Sequence, residues 1–152
     1  MKASTAKGLT LVELFIILFL MAILAAMAAP NLQAAMAANR LNGAARQIMS
    51  ALMEARMNAV SQNNNFFVLF PDSRHYVIFD DDNNNGVADT GEEIIVSDIQ
   101  NEYYDVTLNK RTNPVFFSRG NAYRTYITVS NSRGTKYVKV AFSGRVAIEN
   151  AL

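Results

Sequence analysis

A chain of 152 residues has room for one ordinary domain, and its apolar share of 51% against 18% charged residues comes largely from the first thirty positions. A net charge of +1 provides no whole-protein field for nucleic acid or an acidic membrane, and the lack of Cys excludes disulfides and thiolate metal sites. The charge is unevenly spread: nine carboxylates and no Lys or Arg lie between Asp80 and Asp105, whereas residues 106–152 carry eight Lys and Arg against Glu149 alone.

Residues 1–8, MKASTAKG, are basic and free of acid, and read as a leader that stays in the cytoplasm. Residues 9–29 form an apolar segment in which Glu13 is the sole charge and which ends at Pro30. At about 1.5 Å per residue, its 21 residues just span a hydrocarbon core of roughly 30 Å. Charge placement then keeps Lys2 and Lys7 inside and puts the C-terminal head across the membrane. A carboxylate within such a segment costs about 2.5–3.5 kcal/mol and calls for a partner. A secretory signal peptide is the alternative, with Leu14 to Leu24 as its apolar region and cleavage near Ala26-Met27-Ala28. Glu13 in the apolar approach and a helical pattern that continues past Pro30 speak against it.

The run G-L-T-L-V-E from Gly8 to Glu13, followed by apolar sequence and Pro30, resembles the class III signal of type IV prepilins and type II secretion pseudopilins. The resemblance implies that a prepilin peptidase cuts between Gly8 and Leu9 and that Leu9 is then N-methylated; family precursors more often have Phe at that place. It implies further that Glu13 pairs with the N-terminal amine of a neighbouring subunit, setting the register of a filament in which Pro30 interrupts the assembly helix. The implied location is the bacterial inner membrane, single-pass, with the head in the periplasm and the subunit incorporated into a pilus or pseudopilus.

From residue 30 to 62 an amphipathic helix is expected, because Leu41, Ala45, Ile48, Leu52, Ala55 and Ala59 recur at alternating spacings of four and three. With the anchor it makes one long helix from Leu9 to Gln62, kinked near Pro30 and stopped at Asn63-Asn64-Asn65. Residues 63–152 then change to strand period, with strands near Phe66–Phe70, His75–Phe79, Glu93–Ser97, Val115–Ser118, Thr125–Ser130 and Lys136–Phe142 and turns at Gly86, Gly120, Gly134 and Gly144. The expected fold class is α+β: a long N-terminal helix packed on an antiparallel sheet head.

Between two strand-like runs, Asp81, Asn83, Asn85, Gly86, Asp89 and Glu92 satisfy the spacing of a calcium loop, in which oxygens wrap a hard cation. Two of the inner ligands are Asn and strands rather than helices flank the loop, which favours a hairpin loop in which Asn and Asp supply turn geometry. Calcium is the one cofactor candidate. His75 is the only histidine, no phosphate-cradling Gly-rich loop occurs, and no catalytic cluster can be assembled, so the chain is not expected to be an enzyme.

The segment P-V-F-F-S-R-G-N-A, an I-T-V-S-N strand, a Gly turn, K-V-A-F and S-G-R-V resemble the GspH/FimT-type domain of minor pseudopilins and minor pilins. This resemblance implies a subunit that initiates or caps a filament of a type II secretion system or type IV pilus, with other subunits, the prepilin peptidase, the inner membrane and secreted cargo as partners. Some FimT-like minor pilins act as DNA receptors, which makes Arg133, Lys136, Lys139 and Arg145 candidate phosphate contacts. Those members carry a second Arg shortly after the C-terminal Gly-Arg; here Gly144-Arg145 is followed by Val146, Ala147, Ile148 and Glu149.

Overall fold

The computed structural model describes residues 10–83, 85–89, 92 and 94–150. The chain falls into two compact units, Met1–Met36 and Ala37–Leu152. Helix α1 (Leu11–Ser61) contributes to both and runs through Pro30, whose missing N–H leaves the carbonyl of Ala26 without its helical partner. In the first unit its large apolar side chains are exposed, from Leu11 to Met36.

Within the second unit, one face of α1 is buried: Ala37, Leu41, Ala44, Ala45, Ile48, Ala51, Leu52, Ala55 and Ala59. This is the expected stripe, widened by Ala44 and Ala51. The helix ends in a Schellman motif. Asn63 takes a left-handed φ of 52°, the N–H of Asn64 donates to Ala59 O at 3.1 Å, and that of Asn63 donates to Val60 O at 3.4 Å. An Asn tolerates that backbone, so the Asn run stops the helix as expected.

The strands are β1 (Phe66–Leu69), β2 (His75–Asp80), β3 (Ile94–Asp98), β4 (Thr107–Lys110), β5 (Val115–Phe116), β6 (Thr125–Asn131), β7 (Gly134–Val140) and β8 (Val146–Asn150). They form two antiparallel sheets rather than one, in the orders β3-β2-β1-β5 and β4-β6-β7-β8. The chain changes sheet between Lys110 and Val115, where Pro114 has no N–H for a ladder and offers its carbonyl to Val68 N at 3.0 Å. Two strands lie outside the expected set. In β4 only Leu108 is apolar, and β8 is a short strand just before the end of the sequence whose apolar residues are Val146, Ala147 and Ile148. A 3₁₀ turn at Ile99–Asn101, capped by the Asp98 carboxylate on Gln100 N at 2.9 Å, links β3 to β4.

One core unites the buried face of α1 with Phe66, Val68, Ile78 and Phe116 of the first sheet and Leu108, Ile127, Val129, Val138 and Val140 of the second. Polar links pin the helix at two heights. Arg40 forks onto Asp105 (Nε to Oδ1 2.7 Å, Nη2 to Oδ2 2.9 Å) and lies over the Tyr104 ring, 4.5 Å from its centroid. Arg56 donates from Nε to Gly120 O at 2.9 Å and from Nη2 to Ser143 O at 3.3 Å, joining the loop after β5 to the β7–β8 turn.

Gly144 stands at that junction with φ +75°, and a Cβ there would lie 2.0 Å from Gly120 O and 2.7 Å from Arg56 Nε. Gly144→Ala therefore meets backbone on one side and left-handed strain on the other, and should cost about 2–6 kcal/mol in chemical denaturation. Leu52→Ala, at a fully buried position, should cost about 2–5 kcal/mol in the same measurement, with the native fold retained.

Candidate functional site

The candidate sites occupy three places: the start of α1, the Asp/Asn loop and the outer face of the second sheet. At the start of α1, Glu13 Oε2 accepts from the backbone N–H and the hydroxyl of Thr10, each at 2.9 Å, while Thr10 Oγ1 accepts the Glu13 N–H at 3.3 Å. This reciprocal pairing is a capping box, which satisfies orphan donors of the first turn. The sequence reading does not single out Thr10, although T-L-V-E is the capping-box pattern. Gly8 and Leu9 lie outside the described residues. From Leu11 onward α1 is long and apolar enough to cross a membrane, with none of that stretch buried.

In the Asp/Asn loop the five candidate ligand residues do come together, by hydrogen bonds among themselves. Asp81 is fully buried and its carboxylate accepts Asn85 N at 2.9 Å and Gly86 N at 3.0 Å. Asp89 Oδ2 accepts the side-chain amides of Asn83 (2.8 Å) and Asn85 (2.6 Å), and Glu92 Oε2 accepts Asp89 N at 2.8 Å. Gly86, at φ 73°, permits the sharp turn on which Asp81 closes. The Asn amides present N–H groups to Asp89, and their oxygens accept Asn85 N (3.0 Å, at Asn83 Oδ1) and Val87 N (2.7 Å, at Asn85 Oδ1). Among the described residues no cluster of three or more His, Asp or Glu is arranged to hold a metal ion.

On the second sheet, period-2 alternation sends Ile127, Val129, Val138 and Val140 to the core and Tyr126, Thr128, Tyr137 and Lys139 outward. Extending the alternation by one step beyond β6 and β8 puts Arg124 and Arg145 on the same outer face, and Arg111 N donates to Tyr126 O at 3.1 Å alongside. Arg111, Arg124, Lys139 and Arg145 line a cleft of about 520 Å³. Of the four candidate phosphate contacts, the structure places Lys139 and Arg145 here. Arg133 sits in the β6–β7 turn at the far end of the hairpin, and Lys136 Nζ donates to Asn150 Oδ1 at 2.8 Å. The sequence reading counts Arg111 and Arg124 in its basic block without assigning them to a site and does not single out Tyr126; alternation along β6 points to Arg124 and Tyr126, whereas Arg111 is placed only by the pairing of β4 with β6.

The family model described as type II transport protein GspH matches residues 44–144, most of the head and two thirds of the chain. The chain belongs to the GspH family. Its fold is similar to the type IV minor pilin FimU of Pseudomonas aeruginosa, in one crystal form at 17% identity and TM-score 0.56 over 73% of this chain and 89% of that one. A second crystal form of FimU gives 16% identity and TM-score 0.53, over 71% and 91%. The minor pseudopilin EpsH from the type 2 secretion system of Vibrio cholerae gives 10% identity and TM-score 0.55, over 73% and 97%. No curated protein sequence matches.

GspH-family proteins are structural subunits of pilin type, not enzymes, and the polar clusters of this GspH head are built accordingly. His75 bonds through Nδ1 to Asp72 Oδ2 at 2.7 Å, and Arg74 pairs with Asp98 beside it. The Arg74 backbone N–H, then the His75 ring and the His75 N–H, hold the Asp72 carboxyl down at about 2. Arg74 likewise lowers Asp98, Arg40 lowers Asp105, and the Asn83 and Asn85 amides lower Asp89. A depressed carboxyl takes up its proton later in the folded state than in the unfolded one, so its contribution is complete above the ordinary carboxylate range and is lost as pH falls through the folded value. The thermal midpoint of the head should therefore hold down to about pH 5 and fall steadily towards about pH 2; Asp72→Asn should flatten the lower part of that fall.

Proposed function

We propose that this chain is a minor pilin or pseudopilin subunit that is cleaved between Gly8 and Leu9, methylated at Leu9, and assembled through its N-terminal helix into a type II secretion pseudopilus or a type IV pilus. The head lies on the periplasmic side of the inner membrane, and the subunit acts at initiation or at the tip. One observation carries the reading most directly: a GspH-family head is joined to a helix whose exposed apolar surface from Leu11 to Met36 contains a single carboxylate. Such a surface is covered by lipid before assembly and by sister helices after it. On α1 within the head, Met53, Met57 and Val60 are also exposed at helical spacing, which supports contact with neighbouring subunits along this face as well.

Glu13 is the residue on which register depends in this reading, through the N-terminal amine of a neighbour. Its capping role and its charge are separable, because Gln serves a capping box as well as Glu does but carries no charge. The test is intact mass and filament incorporation in cells with and without a prepilin peptidase. Peptidase-dependent loss of residues 1–8 and a methylated Leu9 are expected, and Glu13→Gln should keep processing and head stability while incorporation falls by about tenfold or more, as befits a lost buried ion pair. Cleavage near Ala28, or normal incorporation of Glu13→Gln, would overturn the reading.

A further inference from the structure

The cleft on the outer face of the β4–β6–β7–β8 sheet holds an uncompensated charge. The exposed side chains of Arg111, Arg124 and Arg145 have no hydrogen bond or ion pair among the described residues, although they line one cleft. The fourth cation, Lys139, is already taken by Glu149, at 2.5 Å. Two guanidinium groups elsewhere in the head meet carboxylates of their own chain, Arg40 with Asp105 and Arg74 with Asp98, and Arg56 is held by backbone carbonyls. Glu149 is the only Asp or Glu between residues 106 and 152, and Lys139 already holds it. Three guanidinium groups with no partner among the described residues, set around one opening, suit an anionic ligand from outside the chain.

We propose that this cleft docks a carboxylate-rich segment of a partner protein. A guanidinium presents a planar fork that matches a carboxylate with two parallel hydrogen bonds, and three of them around one opening favour a ligand with several acidic side chains close together. Tyr126, set edge to face against Tyr137 with ring centroids 5.5 Å apart, gives the cleft a rigid aromatic wall against which the aliphatic stems of Asp and Glu can rest. One observation favours an acidic peptide over a nucleic-acid backbone. The cations converge instead of forming a track: Arg133 is at the opposite end of the β6–β7 hairpin, roughly 20 Å away at strand rise, and Lys136 is held by Asn150. The cleft belongs to the head alone, so peptide binding there can be measured on the unassembled subunit whether or not the proposed assembly holds.

The experiment titrates the full-length protein in neutral detergent micelles against a fluorescein-labelled oligoglutamate peptide, an oligoglutamine control and a labelled DNA duplex, at fixed ionic strength. Oligoglutamate should bind more tightly than either of the others. The double variant Arg124→Ala with Arg145→Ala should weaken it by about tenfold or more, because two charge-assisted pairs with the peptide can no longer form, whereas Arg133→Ala should change it by less than about twofold. Glu149→Gln releases Lys139 into the cleft and should tighten the peptide several-fold, a gain of function that a merely destabilised head could not show. Tighter binding to the duplex, equal weakening in Arg133→Ala and the double variant, no response to Glu149→Gln, or no binding to oligoglutamate would each overturn the proposal.

Discussion

The head depends on how narrow the buried face of α1 is. Six of the nine buried residues between Ala37 and Ala59 are Ala, at positions 37, 44, 45, 51, 55 and 59, and small side chains let a helix be covered from two directions at once. Ile48 and Leu52 supply the bulk along the middle of the face, and each is fully buried. Large residues on this face would hold the backbones apart; with Ala, it is the sheets that bring volume to the core, through Phe66, Phe116 and Ile127. A core assembled this way depends on the strands more than on the helix, and so on whatever keeps two separate sheets registered over one helix. The Arg40 and Arg56 links do that from opposite ends of the buried stretch.

Much of this was legible in the sequence because apolar periodicity carries it. The stripe from Leu41 to Ala59, the Asn stop and the strands β1, β2, β6 and β7 came out close to their observed places. What was not legible depends on partners distant in the chain. β4 has one apolar side chain and is a strand only because β6 offers it a ladder. The division into two sheets turns on Pro114, whose carbonyl is taken up by β1, and no local pattern announces that. The glycines at 120 and 144 could be seen as turn residues, but their packing against each other across 24 positions could not.

The candidate sites divide along the same line. The calcium-loop spacing of Asp81, Asn83, Asn85, Asp89 and Glu92 is real as spacing and does bring the side chains together, yet the loop between strands uses them to satisfy one another and the backbone. Charge counting located the basic block but grouped its members by sequence distance, which mixes the two ends of a hairpin. Alternation on the sheet separates them and brings in Arg124, and the pairing of β4 with β6 brings in Arg111.

The first turn of α1 has an implication at the level of single atoms. Both hydrogen bonds that Thr10 sends to Glu13 arrive at Oε2, and among the described residues Oε1 receives none. One oxygen is engaged by the helix's own beginning while the other stays open. A cation approaching from outside could therefore be received without unwinding the turn that presents the carboxylate, so that recognition would not have to be preceded by local melting. In the proposed assembly, membrane residence and intersubunit docking would then make successive use of one side chain in a single rotamer, and the ordering entropy of the turn would be met before any neighbour arrived.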